Sequence, residues 1–139
     1  MLWWFEWIDQ GYRYGVYRAL SRFLVGEDLR GREARCVVPI MNGDGGNLWC
    51  RAWRTPNQWL GYAIDPAWSV SGGKGRVWTN GVQAVEGELP ASTVTVEWWD
   101  ADTGERLSTA TIVHGGGRFS VPVPQFRRHI AFKIWTGNR

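Results

Sequence analysis

Glu6 and Asp9 are the two carboxylates best placed for acid–base chemistry, inside the stretch Met1-Leu2-Trp3-Trp4-Phe5-Glu6-Trp7-Ile8-Asp9. Two carboxyl groups flanking a glycosidic bond can cleave it with retention when they lie about 5–5.5 Å apart. Residues three apart on a strand point to opposite faces, roughly 10 Å apart along the chain. Glu6 and Asp9 are therefore a poor pair by themselves. A glycan-acting hydrolase would need Glu6 with an acid brought in by folding or by a second subunit. Indole neighbours such as Trp3, Trp4 and Trp7 desolvate a carboxyl and favour its protonated form.

Other reactive constellations are missing. The chain holds no GxSxG, HExxH or CxxC spacing, and Gly73-Lys74 follows Trp68 where a phosphate loop requires glycine. His114 and His129 fall in a turn and at a strand start, where lone histidines are usually structural or solvated. Asp100, Asp102 and the Thr103 hydroxyl form an oxygen-rich turn. Such side chains ordinarily cap their own backbone, so no metal site and no cofactor is expected.

The second chemical resource is tryptophan, eleven in 139 residues. Side chains alternate across a strand. In Leu48–Arg54, Leu48, Cys50 and Ala52 alternate with Trp49, Arg51 and Trp53. In Thr93–Asp100, Val94, Val96 and Trp98 alternate with Thr93, Thr95, Glu97 and Trp99. Rings that share a face with charges are candidates for a stacking platform. Trp49, Trp53 and Trp99, with Trp59 or Trp78 as further rings, would form it, helped by Arg51, Glu97 and Asp100. The competing expectation is that these rings carry the helix of residues 12–25 or pack on arginine stems.

These residues need elements to hold them. The opening stretch is almost continuously apolar, as in a strand covered on both faces. Val16, Tyr17, Leu20, Phe23 and Leu24 then recur at helical spacing, with Arg18 and Arg22 opposite and Gly26 as C-terminal cap. Beyond the charged connector 27–33 the period becomes two. Ala34 to Met41 and Leu48 to Arg54 flank a Gly/Asn/Asp turn, and Gln58–Asp65 follows. Residues 66–75 read as loop. Arg76–Thr79 and Val82–Leu89 flank Asn80-Gly81, a strong hairpin signal. Thr93–Asp100 and Glu105–Val113 flank a second turn, and Arg118–Val123 and His129–Trp135 complete the set. The prediction is a mainly β chain: an antiparallel β-sandwich of about eight strands preceded by one β-α unit, with domains at 1–30 and 31–139.

Composition narrows the partners. The chain is 44% hydrophobic and 21% charged, and its length suits one main domain with a real core. A net charge of +3 does not argue for nucleic acid. The apolar start carries Glu6 and Asp9, lacks a basic leader, and is too short to span a membrane, so neither a signal peptide nor a membrane partner is expected. Localisation is left open. Cys36 and Cys50 flank a turn, which allows either a cross-strand disulfide or two buried thiols.

Three motifs bring a family into view. Trp4-Phe5-Glu6-Trp7-Ile8-Asp9, then Tyr14-Gly15-x-Tyr17-x-Ala19-Leu20-x-Arg22-Phe23, then Gly26-Glu27-Asp28-Leu29-Arg30-Gly31 resemble the eighth strand and helix of a (β/α)8 glycoside hydrolase of the superfamily with β-galactosidase-like and cellulase-like enzymes. Residues 34–135 resemble the small β-sandwich that follows such barrels, and Trp98-Trp99-Asp100-Ala101-Asp102-Thr103-Gly104-Glu105 is similar to its W-x-D-x-x-T-G hairpin. The resemblance implies a polysaccharide or oligosaccharide partner, a secreted parent enzyme, and an aromatic at Trp4 or Trp7 lining the sugar site. The family's acid/base and nucleophile lie on the fourth and seventh strands, which this chain does not contain.

Three functions follow as expectations. One is a non-catalytic carbohydrate-binding module, and one is the small hydrolase built on Glu6. The third is a structural module: a barrel strand without its barrel has unpaired edges and two apolar faces, so residues 1–26 are expected to drive homo-oligomerisation.

Overall fold

The structure, a computed structural model, describes residues 10–11, 13–30, 35–37, 40–43, 46–71, 77–78 and 83–137. Glu6, Asp9, Trp4 and Trp7 lie outside the described residues. The chain is mainly β, as expected. Its strands are β1 Arg35–Val37, β2 Ile40–Gly43, β3 Gly46–Asn47, β4 Trp49–Arg54, β5 Gln58–Ile64, β6 Val77–Trp78, β7 Gln83–Leu89, β8 Ser92–Trp99, β9 Arg106–His114, β10 Gly117–Pro122, β11 Phe126–Arg127 and β12 His129–Thr136. A 3-10 turn, Arg13–Tyr17, leads into α1, Arg18–Leu24, and α2 spans Pro66–Ser71.

Six strands form one sheet in the order β1-β4-β5-β12-β8-β9, and four form a second in the order β10-β7-β2-β3. A two-stranded ribbon joins β11 to β6. All pairings are antiparallel, and the register lines up the core. Ala52, Gly61, Phe132 and Trp98 face one another across four strands, and the next rung carries Trp59, Ile134 and Val96. Phe119 and Val121 of β10 and Leu89 of β7 complete this core from the second sheet. Burying each large side chain contributes about 1.5–3 kcal/mol.

Period-two alternation places the core residues where the sequence puts them. Cys50, Ala52, Val94, Val96, Trp98, Ile130, Phe132 and Ile134 are all buried. The 101–104 hairpin also forms as expected. Asp100 Oδ1 accepts from the N–H groups of Asp102 and Thr103, and Gly104 closes the turn at φ 69°.

Other expectations are corrected. Where about eight strands are expected, the described residues contain twelve strand segments, several of them short pieces. Val77–Trp78 does not form a hairpin with Gln83–Leu89. It pairs with Phe126–Arg127, while β7 pairs with β2 and β10. Trp78 is buried and stacks on Phe126 with 6.2 Å between ring centroids, so core burial sets this strand's partner; Asn80 and Gly81 lie outside the described residues.

The expected loop after Asp65 contains α2. Asp65 Oδ1 accepts from the Ala67 N–H, and Pro66 occupies the first helical position, where its missing N–H costs nothing. The register sets Cys36 opposite Trp53, three residues from Cys50, roughly 10 Å along the strands. Backbones so offset do not suit a disulfide. Among the described residues no helix is long and apolar enough to cross a membrane.

Candidate functional site

The face of the six-stranded sheet turned away from the core is the chemically distinctive surface. Trp49, Arg51 and Trp53 project from it along β4, between the buried Cys50 and Ala52. Trp49 is 54% exposed, Trp53 39%, and Tyr62 of β5, directly opposite Arg51, 40%. α1 covers part of the same face. Between α1 and the rings lies a cavity of about 480 Å³, lined by Leu20, Phe23, Leu24, Leu29, Trp53, Leu60 and Tyr62. Arg51 and Asp100 bring charge to its otherwise apolar wall.

α1 is held over this face by several contacts. Gly104 approaches Ala19 so closely that a Cβ there would lie 2.6 Å from the Ala19 carbonyl oxygen. Arg22 donates to the Thr103 carbonyl at 3.1 Å and approaches Glu105. Arg22 was expected on the solvent side of the helix. Phe23 meets the edge of Trp99, with centroids 5.7 Å apart. Lys133 Nζ lies 4.9 Å from the Phe23 ring and 4.7 Å from the Trp99 ring. It donates to Glu27 Oε1 at 2.6 Å, and the other Glu27 oxygen accepts from Gln58. Both side chains are nearly sealed from solvent, 3% exposed for Lys133 and 1% for Glu27. A buried ammonium is tolerable because a carboxylate and two ring faces replace its water.

Tyr62, which lines the cavity, also joins a polar cluster. The Tyr62 hydroxyl and His129 Nδ1 share a hydrogen bond of 2.7 Å. His129 Nε2 lies 3.0 Å from Asp102 Oδ1, but not along a hydrogen-bonding direction. Asp102 Oδ2 accepts from Arg128 at 2.7 Å. Arg128 holds a left-handed backbone, φ 65°, and its carbonyl accepts from the Asp65 N–H. Its guanidinium lies 5.4 Å from the Trp68 ring centre, and the Trp68 and His129 rings are 5.1 Å apart. Burial, and then the nearby Asp102 charge, raise the Tyr62 phenol above its usual pKa.

The structure brings together Trp49, Arg51 and Trp53 and sets Asp100 across the cavity. Trp99 does not join them, because α1 covers it, and its Nε1 donates to Glu97. Glu97 is buried and also accepts from Arg106 at 2.7 Å, so it is no open ligand group. Trp59 and Trp78 belong to the core, and Arg54 lies 4.3 Å over the Trp59 ring. Asp100 mainly caps its own turn. No cluster of three or more His, Cys, Asp or Glu suited to a metal occurs among the described residues.

Sequence reasoning missed Tyr62, Trp68, Arg128 and the Glu27–Lys133 pair. Tyr62 shares its parity with Leu60 and Ile64, and that alternation carried a signal that was available. The other pairings join residues 26 to 106 apart and had none. No family model, no curated protein and no solved structure matches this chain.

Proposed function

We propose that the protein is a non-catalytic module that binds an oligosaccharide or polysaccharide on the outer face of its six-stranded sheet. One observation carries the reading: Trp49, Trp53 and Tyr62 expose rings on one face, beside a cavity that also holds Arg51 and Asp100. A pyranose has an apolar C–H face and a rim of hydroxyls. An aromatic ring matches the face, and a few fixed polar groups match the rim. Trp49 and Trp53 lie four residues apart on one strand, roughly 13 Å, a span longer than one sugar ring. A chain of sugars running along β4 would meet both. The likeness of residues 98–105 to the hairpin of glycoside hydrolase sandwiches supports this ligand class and implies descent from such an enzyme.

The test is tryptophan fluorescence titrated with cello-, xylo- and malto-oligosaccharides, with pull-down on insoluble cellulose and xylan. Quenching or retention is expected with at least one of them. Trp53→Ala should weaken binding about five- to ten-fold, the loss of one stacked ring. If the folded protein gives neither quench nor retention with any of these glycans, the reading is wrong.

A further inference from the structure

We infer that β9 is a self-association edge, and that two copies of the chain join their six-stranded sheets through it into one continuous antiparallel sheet. Natural sheets blunt their edges with short strands, proline, bulges or charge. Three of the four edges of the two larger sheets are blunted. β1 has three residues and β3 has two. β10 carries a register shift between Arg118 and Ser120 and ends at Pro122. β9 is different. It has nine residues, pairs only with β8 among the described strands, and is exposed along nearly its whole length. Residues 107–113 read Leu-Ser-Thr-Ala-Thr-Ile-Val, with no charge, proline or glycine. Val113 is 87% exposed. Such a strand presents unpaired N–H and C=O groups with nothing to repel a partner.

The occupant is a second copy because the strand complements itself. The β8–β9 register skips Leu107, so the regular run is 108–114 and its midpoint is Thr111. A two-fold axis normal to the sheet at Thr111 sets Thr111 opposite Thr111 of the second copy. Thr109 then faces Val113, Ala110 faces Ile112, and Ser108 faces His114. No two like charges meet, since Arg106 lies outside the run and is bound to Glu97. Both outer faces then point the same way, which places the two Trp49–Trp53 surfaces on one face of the joined sheet, toward its opposite ends. The association does not depend on what those surfaces bind.

Sedimentation velocity of the whole chain, from micromolar to near-millimolar concentration, tests this. A monomer–dimer equilibrium is expected. Thr111→Lys opposes two ammonium groups across the axis and should weaken the dimer at least about ten-fold, while Thr111→Val should retain it. Thermal melts establish that both variants fold. Under mild oxidation Thr111→Cys should crosslink, because facing Cβ atoms lie about 5 Å apart. Thr109→Cys should not crosslink. A wild-type chain that stays monomeric overturns the inference. So does a dimer indifferent to Thr111→Lys, which would place association elsewhere, for instance on residues 1–26. Crosslinking at Thr109 rather than Thr111 would overturn the register.

Discussion

Tyr62 shows how one side chain acquires properties that its own position in the chain does not announce. Its hydroxyl meets His129, sixty-seven residues away, because β5 and β12 pair with Tyr62 opposite Ala131. Burial and Asp102 disfavour the phenolate, so the folded pKa is raised. The consequence has a definite sign. Below pH 10, the ordinary phenol value, Tyr62 is neutral in both folded and unfolded chains, and its contribution to stability is complete. As pH rises further the unfolded chain ionises first, and stability falls until the folded pKa is passed. Urea denaturation between pH 9 and about 11.5 should therefore show a decline that is smaller in Tyr62→Phe. In an absorbance titration, Tyr62→Phe should remove a phenolic step that lies above the ordinary value. An unchanged profile in the variant would mean that another tyrosine carries it. The Trp49 and Trp53 positions, by contrast, were readable in the sequence, since alternation along a single strand is local.

At the scale of elements, α1 depends on what lies beneath it. Seven residues are too few to hold a helix in water, so packing must supply the stability. The apolar spacing of Leu20, Phe23 and Leu24 marked the face that turns toward the sheet and cavity. It did not mark the ion pair, because Lys133 sits on an alternating strand where an outward lysine looks solvated. Among the described residues, Phe23 of α1 and Glu27 just beyond it cover the ammonium. Lys133→Met should leave Glu27 buried without its cation and cost about 3–5 kcal/mol in urea denaturation. Adding Glu27→Gln should recover part of that loss, because no buried charge then remains unpaired. A fully additive double variant would show that the two groups do not interact. α2 teaches the converse lesson. Asp65-Pro66 is a local helix-start signal, legible in the sequence without any tertiary contact.

Across the whole molecule, the two sheets meet over side chains that fit at one point without slack. Phe132 lies directly on Gly61 of the neighbouring strand, where an added Cβ would fall 1.9 Å from the ring's Cζ. The order of apolar residues along β5 says nothing about this contact; β12 supplies it from seventy-one residues away. Gly61→Ala should overpack the core by about 2–3 kcal/mol and lower Tm by roughly 5–10 °C. A melt unchanged within a degree or so would mean that the core shifts to accept a methyl group.

The chain's own order of residues was enough for the β class, for which side chains of each strand turn inward, and for the 101–104 hairpin. Each of these depends on neighbours a few residues apart. Strand partners depended on burial across the fold, as when Val77–Trp78 paired with Phe126–Arg127 and Trp78 stacked on Phe126. The sorting of the tryptophans depended on it too. Trp49, Trp53 and Trp99 carry the same signature in one dimension, an indole alternating with apolar neighbours. Whether such a ring meets solvent or a helix is decided by which segment folds across it, and here α1 covers Trp99 and leaves Trp49 and Trp53 open.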